Sequence, residues 1–232
     1  MGETRIGGAP PPAKAAAATG TGRIFLVVAA LVGLYVLLDA VAQLLPPHYS
    51  PIAQAESDLA VGPFGYLMTL NFVNRGILSL LFLLALVRTS RAAGTSGRRH
   101  VGGAVLMGIW GVGALLLAIF PTDVPPTPVT LHGLIHLVVA VLAFLGGAFG
   151  SLLISIRLGE DEVLRGARSF ALPIALLAVL SCLVVLALPS AAPRLSGQIG
   201  GLTERTFLGL VLLWILAVSI YAWRRYQPGR RA

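Results

Sequence analysis

Six apolar blocks, each about as long as a bilayer is thick, bound what this chain can fold into. A bilayer core takes about 20 apolar residues per helix. Blocks of that kind run over 23–45, 62–87, 102–120, 131–156, 169–188 and 202–223, using nearly the whole 232-residue chain and leaving no room for a soluble domain. Charged residues make up 11% of the sequence, where a soluble domain carries about a quarter. The expected fold is therefore all-α, a polytopic membrane bundle of six transmembrane helices over 23–223. Residues 1–22, rich in Gly, Ala, Pro and Thr, read as a disordered tail, and 224–232 as a short basic tail.

The net charge of +8 raises nucleic acid as a partner, but the placement of the charge excludes it. Of 17 Lys and Arg, 14 fall in the two tails, at Arg23 where the first span begins, in the 88–101 loop and in the 157–168 loop, all on one side of the bundle. The opposite side has Arg194 and Arg205, and Arg75 lies inside a span. Basic loops stay cytoplasmic, so both termini are expected in the cytoplasm, with the 46–61 segment and the 121–130 turn outside. An alternative for the first block is a signal peptide cleaved near Ala40-Val-Ala42. The apolar run continues past that point and contains Asp39, which suits a retained helix. Cys182, the single cysteine, lies within a span and reads as a small hydrophobe. Small residues four apart let helix backbones approach closely, and Ala104/Gly108, Ala143/Gly147 and Gly146/Gly150 place such contacts on the third and fourth spans.

Ionisable groups at membrane depth are costly and face a partner or a cavity. Asp39 lies roughly 9 Å below the outer end of its span and Arg75 roughly 16 Å below the end of the next, at 1.5 Å per residue. The reach of an arginine side chain lets the two meet. Asn71, Asn74 and Arg75 share one helical face, and Gln43 stands one turn above Asp39. Two readings stay open: a buried pair that sets helix register with the asparagines bonding between helices, or the lining of a ligand site. The second reading gathers Asp39, Asp58, Asn71, Asn74, Arg75, Glu204 and Arg205 into an outward-facing polar pocket. Glu204 is also well placed simply as an acid near a helix N-terminus.

The segment Phe120-Pro-Thr-Asp-Val-Pro-Pro-Thr-Pro turns the chain over and leads into His132 and His136, one helical turn apart. With Asp123 these are the residue types of a zinc site, two imidazoles and a carboxylate. The competing reading gives each histidine a hydrogen-bonding task in the turn and between helices. Haem is excluded because His132 and His136 share one helix, while His48 and His100 lie at opposite faces.

Taken together, Ser50-Pro-Ile, Asp58-Leu-Ala-Val-Gly-Pro-Phe-Gly-Tyr, Phe120-Pro-Thr-Asp123, Leu131-His-Gly-Leu-Ile-His136 and Gly201-Leu-Thr-Glu-Arg205 resemble the bacterial six-span membrane family known as domain of unknown function 998. The resemblance covers roughly 24–223 and implies an inner-membrane bundle with no established activity. It marks Ser57, Asp58, Asp123 and His132 as pattern positions. A more distant likeness is to ceramidase- and progestin-receptor-like membrane hydrolases, which set Ser, Asp and His around zinc. Those have seven spans and three histidine ligands, against six spans and two close histidines here. The leading functional expectation is an inner-membrane protein that binds a lipid headgroup or small polar ligand and requires no cofactor. The alternatives are a lipid amidase or esterase with zinc on Asp123, His132 and His136, and a proton-coupled carrier relaying through Asp39 and Arg75. Oligomeric state is not legible in the sequence.

Overall fold

The computed structural model describes residues 12–92 and 101–227. Among these the chain forms six α-helices and no strand: α1 Pro12–Leu44, α2 Gly65–Ala92, α3 Val101–Leu117, α4 Leu131–Arg157, α5 Arg168–Ala191 and α6 Pro193–Arg225. Consecutive helices pack side by side, and α6 closes the ring by packing on α1. Two ends result. One, the turn end, carries the 45–64 segment and the 118–130 turn. The other, the basic end, carries the arginine-rich termini of α2 and α6.

Five helices are long and apolar enough to cross a membrane, and α3, with 17 residues, is the short one. The chain is a multi-pass membrane protein. The α3 backbone winds on past Leu117 as the amides of Ile119 and Phe120 both donate to the Leu116 carbonyl, so its apolar stretch ends where the sequence places it.

Two boundaries differ from the sequence reading. Helix α1 begins at Pro12, so the half of the expected tail that falls on 12–22 is helical; residues 1–11 lie outside the described residues. At the other end of the chain, α6 begins at Pro193 and not at Leu202. Proline suits the first helical position because its missing N–H would have no partner there. A stretch rich in Pro, Gly and Ser thus reads as a loop but winds as two further helical turns. The tail expected over 224–232 begins with the last two residues of α6, and 228–232 lie outside the described residues.

The core is aromatic and joins helices from around the ring. Phe82 of α2 meets Trp214 of α6 at 5.2 Å between ring centroids. Phe207 of α6 meets Trp110 of α3 at 6.0 Å and Phe144 of α4 at 4.8 Å. Small residues let α3 and α4 close together as expected. A Cβ on Gly146 would lie 2.6 Å from the Leu106 carbonyl oxygen, and one on Gly150 would lie 2.9 Å from the Met107 nitrogen. Backbone approaches backbone at both points, so neither position has room for a side chain. Cys182 is buried in this core.

Candidate functional site

The 45–64 segment folds back over the bundle and is fastened to the first turns of α6. The Gly201 amide donates to the Ala53 carbonyl at 3.3 Å and the Leu202 amide to the Ile52 carbonyl at 2.9 Å. Gly201 is required by this approach, because a Cβ there would lie 2.1 Å from the Gln54 carbonyl oxygen. One turn on, Arg205 completes the fastening. Its Nη1 donates to the carbonyls of Pro51 and Gln54 and its Nη2 to the Tyr49 hydroxyl at 2.7 Å. The guanidinium also stacks 5.1 Å from the Tyr49 ring centroid. Arg205, expected as a ligand-pocket residue, spends these donors on its own chain.

This fastening buries Glu56, which sits in a single 3-10 turn, Glu56–Ala60, and is 2% exposed. Its carboxylate accepts from the Tyr35 hydroxyl at 2.5 Å. Its amide donates to Glu204 Oε2 at 3.3 Å, so Glu204 holds the turn; because α6 starts at Pro193, Glu204 lies well inside the helix and is not the N-terminal acid expected from the sequence. Asp39 faces Glu56 carboxyl to carboxyl and accepts from Gln43 Nε2 at 2.5 Å. Burial, and then the Asp39 carboxylate beside it, push the Glu56 carboxyl up to about 8, against the pull of Arg75 and the Tyr35 hydroxyl. Two carboxyls in contact cannot both ionise cheaply, and Glu56 is the one that keeps a proton near neutral pH.

The expected meeting of Asp39 with Arg75 does not occur. Asp39 has Arg205 as its charge partner, 3.9 Å away, because α1 lies against α6 as well as α2. Arg75 is 1% exposed and turns sideways, its guanidinium carbon 4.7 Å from the Trp110 ring centroid and 5.3 Å from that of Phe72. Among the described residues its Nε and Nη2 have no hydrogen-bond partner, and the guanidinium acts through space on the carboxyls of Glu56 and Glu204, favouring their ionised forms. Asn71 and Asn74 do the interhelical work that one reading gave them, donating to the α1 carbonyls of Tyr35 at 3.2 Å and Leu31 at 3.0 Å.

Beside this network lies a cavity of about 240 Å³, opening at the turn end between α1, the 45–64 segment and Val124. Asp58, Tyr49, His48, Gln54 and Phe64 line it. Burial raises the Asp58 carboxyl, against the pull of the Ala55 amide and Arg205. Burial likewise pushes the Tyr49 phenol well above its ordinary value.

The zinc trio is not assembled. Asp123 accepts from the Thr130 amide at 2.7 Å and from the Thr130 hydroxyl at 2.8 Å, and that hydroxyl accepts in turn from the Gly133 amide to cap α4. His136 is buried and donates Nδ1–H to the Phe120 carbonyl at 2.7 Å. His132 is exposed, its ring against Phe120. Among the described residues no three His, Cys, Asp or Glu side chains gather in a group that could hold a metal. The residues instead form a rivet between the turn and α4, which is the hydrogen-bonding alternative read from the sequence.

The profile of the family described as "protein of unknown function (DUF998)" matches residues 15–221. The chain belongs to the DUF998 family. No curated protein and no solved structure matches it significantly. For this DUF998 member, three residues of the network were not picked out as site residues from the sequence. Tyr35 had a usable signal, since Tyr35, Asp39 and Gln43 recur every four residues along one face of α1. Glu56 and Tyr49 had none: each sits in a polar segment that reads as solvated, and only its fastening to α6 takes it out of water.

Proposed function

We propose that this multi-pass protein binds a small polar ligand or lipid headgroup at the outer face of a bacterial inner membrane, in the cavity beside Asp58. The count of Lys and Arg, 14 on the basic side, supports placing the turn end outside. One observation carries the reading: a cavity with a carboxylate in its wall opens directly beside a network of three further carboxyls and two guanidinia, of which Glu56 and Arg75 are buried and the others half-buried. Such a network is expensive at membrane depth, and the register of α1, α2 and α6 is already held by Asn71, Asn74 and the backbone bonds at Gly201. The expense is explained if the network tunes the charge that a ligand meets.

Thermal unfolding in lipid nanodiscs with soluble headgroups (ethanolamine phosphate, choline phosphate, glycerol phosphate) tests this. A headgroup present at about 100 times its dissociation constant adds about 2.7 kcal/mol, and Asp58→Asn should abolish the gain. If none of the headgroups, nor a panel of amino acids, raises the melting temperature, the reading is wrong. A proton-coupled carrier is a second reading, favoured by the proton held on Glu56 in contact with Asp39 and Tyr35. Proton uptake by proteoliposomes that vanishes in Glu56→Gln would select it. The zinc-dependent amidase has no assembled ligand set to draw on.

A further inference from the structure

At the basic end, away from the network above, α2, α3 and the end of α4 part around a second cavity of about 360 Å³. This lies within the range of about 300–1,000 Å³ typical of ligand sites. Its body is apolar, built by residues such as Leu86, Val105, Ile154 and Leu158, and its polar lining includes Arg91 and Asp161. Arg91 is exposed in the last turn of α2. Asp161 is 2% exposed. Its Oδ1 accepts from the amides of Val163 and Leu164 at 2.9 and 3.1 Å, which shapes the turn into α5. Among the described residues its Oδ2 is buried with no partner.

A buried carboxylate oxygen without a donor is destabilising, and the turn is already formed by its sister atom. The second oxygen therefore calls for a donor from outside the chain. An apolar cavity at the end of a membrane bundle, with a cation at its rim and an anion in its wall, matches a zwitterionic phospholipid. We propose that this cavity holds one phospholipid with a primary ammonium headgroup. An acyl chain lies between α2, α3 and α4, the phosphate meets Arg91, and the ammonium donates to Asp161 Oδ2. A trimethylammonium headgroup has no N–H to give, so phosphatidylethanolamine is chosen over phosphatidylcholine. Charge-assisted hydrogen bonds of this kind are short and about twice as strong as neutral ones.

Native mass spectrometry of the full chain, delipidated in detergent and titrated with each lipid, reads the preference. The expected result is one phosphatidylethanolamine retained about tenfold better than phosphatidylcholine. Asp161→Asn keeps the Oδ1 acceptor for Val163 and Leu164 and should bring the two lipids level. Arg91→Gln should weaken both together. A phosphatidylethanolamine carrying a photoreactive acyl chain should label α2, α3 and α4 peptides at the basic end, and Ala104→Trp, which fills the cavity, should remove that label. Equal retention of the two lipids by the parent, an unchanged preference in Asp161→Asn, labelling elsewhere, or no retained lipid overturns the proposal. Asp58→Asn leaves this preference intact, so the fate of the turn-end cavity is read separately.

Discussion

Glu56 makes the stability of this protein depend on pH in a direction opposite to that of most paired carboxylates. In the unfolded chain its carboxyl titrates near the ordinary value of 4.5, and in the fold it is pushed up to about 8. Between those values the folded state binds more protons than the unfolded one, so stability falls as pH rises and levels off above 8. The loss is at most about 1.36 kcal/mol per pH unit and slackens as the carboxyl ionises, so from pH 6 to pH 8 it comes to about 2 kcal/mol in all. For a chain of this size that corresponds to a fall in melting temperature of about 4–8 °C. Glu56→Gln still accepts from Tyr35 but has no proton to lose at this position, so its melting temperature should fall less steeply than the parent's over the same interval. The assay is thermal unfolding in detergent, followed by the fluorescence of the buried Trp110 and Trp214. A parent melting temperature that does not fall between pH 6 and 9, or a Gln variant that falls in parallel, would refute the account of Glu56 as a buried proton-holding carboxyl.

Two other perturbations test the architecture around it. Gly201→Val drives a side chain into the Gln54 carbonyl, costs about 1–3 kcal/mol as overpacking does, and should release the 46–61 segment; a cysteine placed at Ser50 or Gln54 would then react faster with a water-soluble maleimide. Asp123→Ala removes both bonds to Thr130 and should cost about 1–2 kcal/mol as loss of a helix cap does, whereas His132→Ala, at an exposed position, should change stability by less than about 0.5 kcal/mol. Calorimetry should show that EDTA moves neither variant nor the parent; a melting temperature lowered by EDTA and restored by zinc would overturn the rivet reading of the 120–136 segment.

What the sequence of this chain shows, and what it hides, follows a physical pattern. Where a residue's role follows from helix periodicity, the sequence shows it: Asn71, Asn74 and Arg75 share a buried face of α2, and Gly146 and Gly150 meet α3. Where the role depends on which helix a side chain finds opposite it, the sequence misleads. Asp39 and Arg75 look like partners because the reach of an arginine spans the difference in their depths, yet depth says nothing of azimuth around the ring. Asp39 faces α6 and finds Arg205, while Arg75 faces α3 and finds Trp110. The histidines were ambiguous for a related reason. Spacing puts His132 and His136 on neighbouring turns, but only the path of the 121–130 turn decides that Asp123 is spent on Thr130 and His136 on Phe120.

The class of fold was thus settled by composition and block length, because a run of about 20 apolar residues has little choice but to cross a bilayer as a helix. The partners within it were decided by tertiary structure. Closing six helices into a ring selects which faces meet, and folding the 46–61 segment back onto α6 turns Glu56 from a solvated acid into a buried one. That change comes from burial and from the nearby carboxyls of Asp39 and Glu204, 17 and 148 positions away, against the pull of Arg75, and no local pattern in the chain encodes it.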